Sequence, residues 1–98
     1  MIKDFGNRIA FDLFHTGKTK KLPFELWQRA IYLLDIMDAV ISLDELQRKG
    51  FPPSLRLHKL KGYRKNEFAI DINKISGWRI TFTFKENDFF DVKIENYH

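Results

Sequence analysis

Four side chains in the second half of the sequence have the chemistry to move protons and hold phosphate. They are His58 in SLRLHKLK, Arg79 in GWRITFTF, and Tyr97 and His98, which close DFFDVKIENYH. An imidazole titrates at roughly 6.5, so it can serve as acid or base near neutral pH. A guanidinium stays charged and matches a phosphate with two parallel hydrogen bonds. A phenol can stack on a base or hold a proton in place. Together these groups suit cleavage of RNA by its own 2′-hydroxyl. That reaction needs a base for the hydroxyl proton, an acid for the leaving oxygen and a cation to steady the phosphorane. Taken singly, each residue has a plain structural explanation, and the case rests on their convergence. His15, at a helix end beside basic loop residues, has no such company and is read as structural.

Convergence requires a sheet, and the pattern supplies one. From Ser54 onward the apolar period is two. Leu55 and Leu57 alternate with Arg56 and His58, and Phe68, Ile70 and Ile72 with Ala69 and Asp71. Trp78, Ile80, Phe82 and Phe84 alternate with Arg79, Thr81 and Thr83, and Phe90, Val92 and Ile94 with Asp91, Lys93 and Glu95. Four short runs separated by Lys-Gly-Tyr, Asn-Lys-Ile-Ser-Gly and Glu-Asn-Asp read as an antiparallel meander. One face then packs on helices and the other meets water, gathering His58, Arg79 and Tyr97, with Lys61 beside them. His98 falls on the other parity, which a last residue need not keep.

The first half is helical. IKDF reads as a short opening strand. A helix is predicted from about Asn7 to His15, with Ile9, Ala10, Leu13 and Phe14 at helical spacing and Gly17 as its stop. A second starts at Pro23, with Glu25 near its N-terminus and a stripe of Leu26, Ala30, Ile31, Leu33, Leu34 and Met37. SLDELQRKG adds a brief helical turn, with Ser42 as cap and Glu45 three residues on. Gly50 and Pro52-Pro53 end this half. The fold class is α+β, with N-terminal helices on one face of a mainly antiparallel sheet, and residues 1–98 form one domain.

Composition bounds the function. At 98 residues, 44% hydrophobic and with ten Phe, the chain can build one core without disulfides, and it has no Cys. That removes thiolate nucleophiles and thiolate metal sites and fits a reducing cytoplasm. MIKDFGNRIAF has no uninterrupted apolar stretch, so no signal peptide is expected. AIYLLDIMDAVI is broken by Asp35 and Asp38 and is too short to span a bilayer. No motif implies a metal or cofactor. Between Glu45 and Glu67 there is no acid, while Arg48, Lys49, Arg56, Lys59, Lys61, Arg64 and Lys65 all fall in that window. Such a stripe suits a polyanion. Lys18, Lys20 and Lys21 form a second cluster in the early loop.

The run LRLHKLKGYRKNEFAIDI, then GWRITFTF, then DVKIENYH resembles the HigB branch of the RelE/ParE toxin superfamily. IKDF and GKTKKLPFELWQRAIYLLDIMDA are similar to that family's helical half. The resemblance implies a RelE-like microbial ribonuclease fold and the toxin of a type II toxin–antitoxin pair. Such a toxin enters the ribosomal A site and cuts messenger RNA there without a metal. Its implied partners are the ribosome, messenger RNA and a HigA-like helix-turn-helix antitoxin, in a heterotetramer that binds operator DNA through the antitoxin. Residue by residue, the resemblance carries the functional His of L-H-x-L-K-G onto His58 and the basic residue after it onto Lys61. The Arg of W-R-I-T-F falls on Arg79, and the terminal pair on Tyr97 and His98. His58 and His98 are then expected to share proton transfer, with Tyr97 and Asn96 orienting substrate and Arg56, Lys59, Lys61 and Arg64 holding RNA backbone. The chain departs from the family at Asn96, where Asp is usual, at Lys59, where Pro or a small residue is common, and in the longer NKISG turn. A ParE-like gyrase inhibitor, or a plain nucleic-acid binder, is the other class the scaffold allows.

Overall fold

The computed structural model describes residues 1–50, 57–73 and 75–96. Arg56, Tyr97 and His98, all expected site residues, lie outside them. The order of elements is α1 (Arg8–Thr16), α2 (Trp27–Ala39), α3 (Leu43–Gly50), β1 (Leu57–Lys59), β2 (Phe68–Asp71), β3 (Trp78–Lys85) and β4 (Asp88–Asn96). The strands form one antiparallel sheet in the order β1-β2-β3-β4. Helices first and a meander after is the α+β arrangement that the change of period predicts.

Local chemistry sets the helix ends. Asn7 is extended and caps α1, its Oδ1 accepting from the Ala10 N–H at 3.1 Å. Its Nδ2 donates to the Ile94 carbonyl at 2.9 Å, so the cap also fastens α1 to β4. Gly17 ends the helix at φ 76, a left-handed conformation that glycine adopts at little cost. The second helix starts later than its sequence suggests. Pro23 precedes a 3₁₀ turn, Phe24–Leu26, and only then does α2 begin. The Trp27 indole donates to the Leu22 carbonyl at 2.8 Å, closing the turn against the loop before it. At α3 the Ser42 hydroxyl accepts from the Glu45 N–H, and the Glu45 carboxylate accepts from the Ile41 N–H. Ser42 thus caps α3 as expected, while the Glu45 carboxylate reaches one residue further back than a capping box requires, to Ile41 rather than to Ser42.

The core lies between α1, α2 and one face of the sheet. Ala10, Leu13, Ala30, Leu33, Leu34 and Met37 meet Ile70, Ile80, Phe82, Phe89, Val92 and Ile94, all fully buried. Each large side chain sequestered this way contributes roughly 1.5–3 kcal/mol.

One residue of the last strand breaks the predicted alternation. Thr81 pairs with Lys93 but Thr83 with Phe90, so β4 holds one extra residue there. Asp91 takes φ 54 at this bulge and the parity flips. Phe89, rather than the expected Phe90, therefore reaches the core, and Phe90 is half-buried. The opening IKDF segment runs beside the bulge as two parallel bridges, Ile2 with Phe89 and Phe5 with Val92, rather than as a continuous strand. The Asp4 carboxylate accepts from the Asp91 N–H. Gly6 makes the approach possible: a Cβ there would meet Asp91 Oδ1 at 2.1 Å and Lys93 Cγ at 2.6 Å.

Candidate active site

Sheet register decides which residues can act together. One cross-strand row carries His58, Ala69, Thr81 and Lys93, and the next carries Asp71, Arg79 and Glu95. Both rows lie on the face turned away from α1 and α2, so His58 and Arg79 share a face as the alternation predicts. That face is not simply open to water. Ala69 and Thr81 are fully buried and Arg79 retains 6% exposure. The sequence expectation of a wet outer face is corrected by the segment joining β1 to β2. Its Arg64 side chain reaches over the sheet to Glu95 on β4.

Under that segment is a cavity of about 470 Å³ lined by His58, Lys59, Lys61, Tyr63, Arg64 and Arg79, together with Leu60. Two of the expected catalytic residues and three of the expected RNA-binding ones thus line one space. Lys59 points by parity toward the core side of the sheet, yet it stays exposed, with its ammonium 5.9 Å from the Phe68 ring centroid. Asn96 pairs with Trp78, on the opposite parity from Arg79, and does not line the cavity. Among the described residues, no group of three or more His, Asp or Glu side chains is gathered to hold a metal.

Arg64 differs from the other cations. Its Nε and Nη2 each donate to Glu67 at 2.8 Å, and its Nη1 and Nη2 donate to Glu95 at 3.2 and 2.6 Å. Expected from its sequence context to hold RNA backbone, it lines the cavity and clamps two carboxylates there. The ladder continues: Lys93 bridges Glu67 at 3.2 Å and Asp91 at 3.3 Å, and the Thr81 hydroxyl donates to Glu95 at 2.6 Å. Hydrogen bonds from Arg64 hold Glu67 down at about 2 against the opposing cost of burial, with Lys93 assisting. Arg64 likewise lowers Glu95, with Thr81 adding to it. The guanidinium is itself raised, by Glu67 first and Glu95 next. For Lys93, burial pulls downward, but bonds to Glu67 and Asp91 outweigh it and the ammonium is raised.

Three residues here escaped the sequence reading. Glu67 read only as the acid that ends the basic window, and Glu95 as an outward charge of the last strand. Arg64 is three positions from Glu67 but 31 from Glu95, and a partner that distant leaves no local trace. Tyr63 is 98% exposed at the cavity lining. An exposed phenol among lysines suits base stacking, and its place within KGYRK was the available signal. A larger groove of about 1020 Å³ lies on the helix side, where Lys18, Lys20, Lys21, Leu22, Trp27 and Trp78 contribute to its walls. Neither His58 nor Arg79 lines it.

The profile of the HigB-like toxins, described as the RelE-like toxin of the type II toxin–antitoxin system HigB, matches residues 3–98. The chain belongs to the HigB-like toxin family. It is also 33% identical, over the full length of both chains, to a protein of Proteus vulgaris named endoribonuclease HigB. Membership agrees with the α+β architecture already described. Among the described residues of this HigB-like toxin, no helix is long and apolar enough to cross a membrane.

Proposed function

We propose that this HigB-like toxin is a ribosome-dependent endoribonuclease that cuts messenger RNA in the A site. The observation that carries the reading is the shared cavity. An imidazole at His58 and a nearly buried guanidinium at Arg79 border one space with Lys59 and Lys61. In the reaction, a base removes the 2′-hydroxyl proton as that oxygen bonds to the adjacent phosphorus. The bond to the 5′-oxygen breaks, and an acid returns a proton to that oxygen, leaving a 2′,3′-cyclic phosphate. No oxidant or further reactant is required. His58 supplies one proton-transfer role and His98 the other. Arg79 stabilises the phosphorane from a site where water is scarce and a fixed charge counts for more. Lys59 and Lys61 hold flanking phosphates, Arg56 extends that path, Tyr63 stacks on a base, and Tyr97 and Asn96 orient the substrate.

The same reading makes residues 1–98 one toxin domain that acts in the cytoplasm. Its partner is a helix-turn-helix antitoxin, and their heterotetramer binds operator DNA through the antitoxin. The family's place in type II toxin–antitoxin systems supports the cognate antitoxin, and the match over residues 3–98 supports a single toxin domain.

The deciding experiment offers one messenger RNA to the purified toxin twice, free and loaded on ribosomes with an empty A site. Cut ends are mapped by primer extension. Cleavage is expected only on the ribosome, and His58→Gln and Arg79→Gln should each slow it by about 100-fold or more. An intact message in both conditions would overturn the enzyme reading and bring gyrase inhibition or simple nucleic-acid binding forward.

A further inference from the structure

We infer that Arg64 is a positioning residue: by holding the Glu95 carboxylate on itself and Thr81, it keeps the phosphate-binding role of Arg79 from being contested by an acid on the next strand. This deepens the nuclease reading, and its phosphate-binding core can be tested apart from cleavage.

The geometry starts with register. Arg79 is flanked across the sheet by Asp71 on β2 and Glu95 on β4. Directly opposed residues in an antiparallel pair have Cβ atoms about 5 Å apart, so Glu95 is well placed to take a guanidinium for itself. A site that must bind an anionic phosphorane is poorly served by two loose carboxylates on the neighbouring strands. Asp71 stays on the β2 side, and the clamp acts on Glu95. In this structure both Glu95 oxygens are held by other donors. Oε1 accepts from Arg64 Nη1, and Oε2 accepts from Arg64 Nη2 and the Thr81 hydroxyl. The two bonds to Oε2 measure 2.6 Å, in the range of strong charge-assisted contacts. Thr81 lies one cross-strand row along from Arg79, beside His58 and Ala69, so the hold draws the carboxylate along the face.

Arg64 can do this because it is anchored twice. Glu67 takes its Nε and Nη2 in a second pair of bonds, and Lys93 supports Glu67 from β4. Only a planar, five-donor head spans two carboxylates in this way, and a lysine cannot. The arrangement also fixes the short segment that carries Lys61 and Tyr63 into the same cavity.

The test is a titration of the intact protein with inorganic phosphate, followed by NMR at the Arg79 Nε–H. Wild type, Arg64→Gln, Glu95→Gln and the double variant are compared, each with its thermal midpoint measured. A carboxylate released on the strand beside the guanidinium, from a Cβ about 5 Å from that of Arg79, predicts roughly tenfold weaker phosphate binding in Arg64→Gln at an intermediate dielectric. The double variant should return to within about twofold of wild type, because a neutral amide no longer competes. Arg64→Lys retains charge with a single-headed donor. It should show an intermediate loss, and it decides the matter if Arg64→Gln does not fold. The inference is overturned if Arg79 does not respond to phosphate in wild type. Wild-type affinity in the folded Arg64 variants overturns it too, as does a double variant no better than Arg64→Gln, since a merely structural clamp predicts no recovery. Ribosomal cleavage, run in parallel, tests the nuclease reading alone. A toxin that binds phosphate as described but cuts nothing would sink that reading and leave this inference standing.

Discussion

Acid probes the ion ladder across the outer face most directly. Glu67 sits between Arg64, with two bonds of 2.8 Å, and Lys93 at 3.2 Å. Its carboxyl is held at about 2 rather than an ordinary 4.5. A group whose folded pKa is depressed stabilises the protein above the unfolded value and loses that contribution as pH falls through the folded one. The window is therefore between about 4.5 and 2. A lowering of this size carries at most ~3 kcal/mol, and screening by the water at the cluster's edge reduces it to ~1–2 kcal/mol. Glu67→Gln removes the titrating group while Glu95 still pairs with Arg64 and Asp91 with Lys93. Urea unfolding from pH 6 to pH 2.5, read by tryptophan fluorescence, gives the comparison. The variant should be less stable by ~1–2 kcal/mol at pH 6, and the gap should close toward pH 2.5. Two curves that fall in parallel across that range would refute the coupling.

Three other substitutions report on the scaffold. Asn7→Ala removes both the α1 cap and the bond to the Ile94 carbonyl, and should cost about 1–2 kcal/mol in urea unfolding. Gly6→Ala forces a methyl against Asp91 and Lys93 and should lower stability by about 1–3 kcal/mol, seen as a reduced thermal midpoint. Glu86 and Asn87 form the two-residue β3–β4 turn at φ 53 and φ 69. Asn tolerates that conformation better than Glu, so Glu86→Asn should raise unfolding stability by about 0.5–1 kcal/mol.

The sequence and the structure agree where the signal is local. Asn7, Gly17, Ser42 and Glu45 mark helix ends by their own hydrogen-bonding chemistry, and all four act there. Strict alternation in β3 places Arg79 and Thr81 opposite Ile80 and Phe82, which puts Arg79 on the face of His58. What stayed illegible depends on distant partners. The bulge at Asp91 is met by the backbone of the first six residues, so the exchange of Phe90 for Phe89 in the core has no cause inside β4 alone. The Arg64–Glu95 clamp likewise joins the β1–β2 segment to β4, across 31 positions. The basic window also reads as a single stripe in sequence. In space it divides, because Arg64, although it lines the cavity with Lys59 and Lys61, is held there by Glu67 and Glu95.

That division bears on how an acid-bearing sheet can present a phosphate site at all. The outer face carries Glu67, Asp91 and Glu95 within the reach of two strands, alongside the guanidinium proposed to meet the scissile phosphate. Left loose, those carboxylates would repel RNA and draw on Arg79. Linked through Arg64, Lys93 and Thr81, their charge is returned locally, in bonds of 2.6 to 3.3 Å. Asn96 enters the same balance. An Asp at that position would add one more negative charge at the end of β4, on the parity of Trp78, whereas the neutral amide adds none. On this argument Glu95, which lies directly opposite Arg79 as Asp71 does on the other side, weighs more than position 96 in setting the field at Arg79. Substituting Asn96→Asp in the phosphate titration should therefore shift affinity less than Arg64→Gln does. A larger effect at position 96 would move the electrostatic centre of the site to the end of β4.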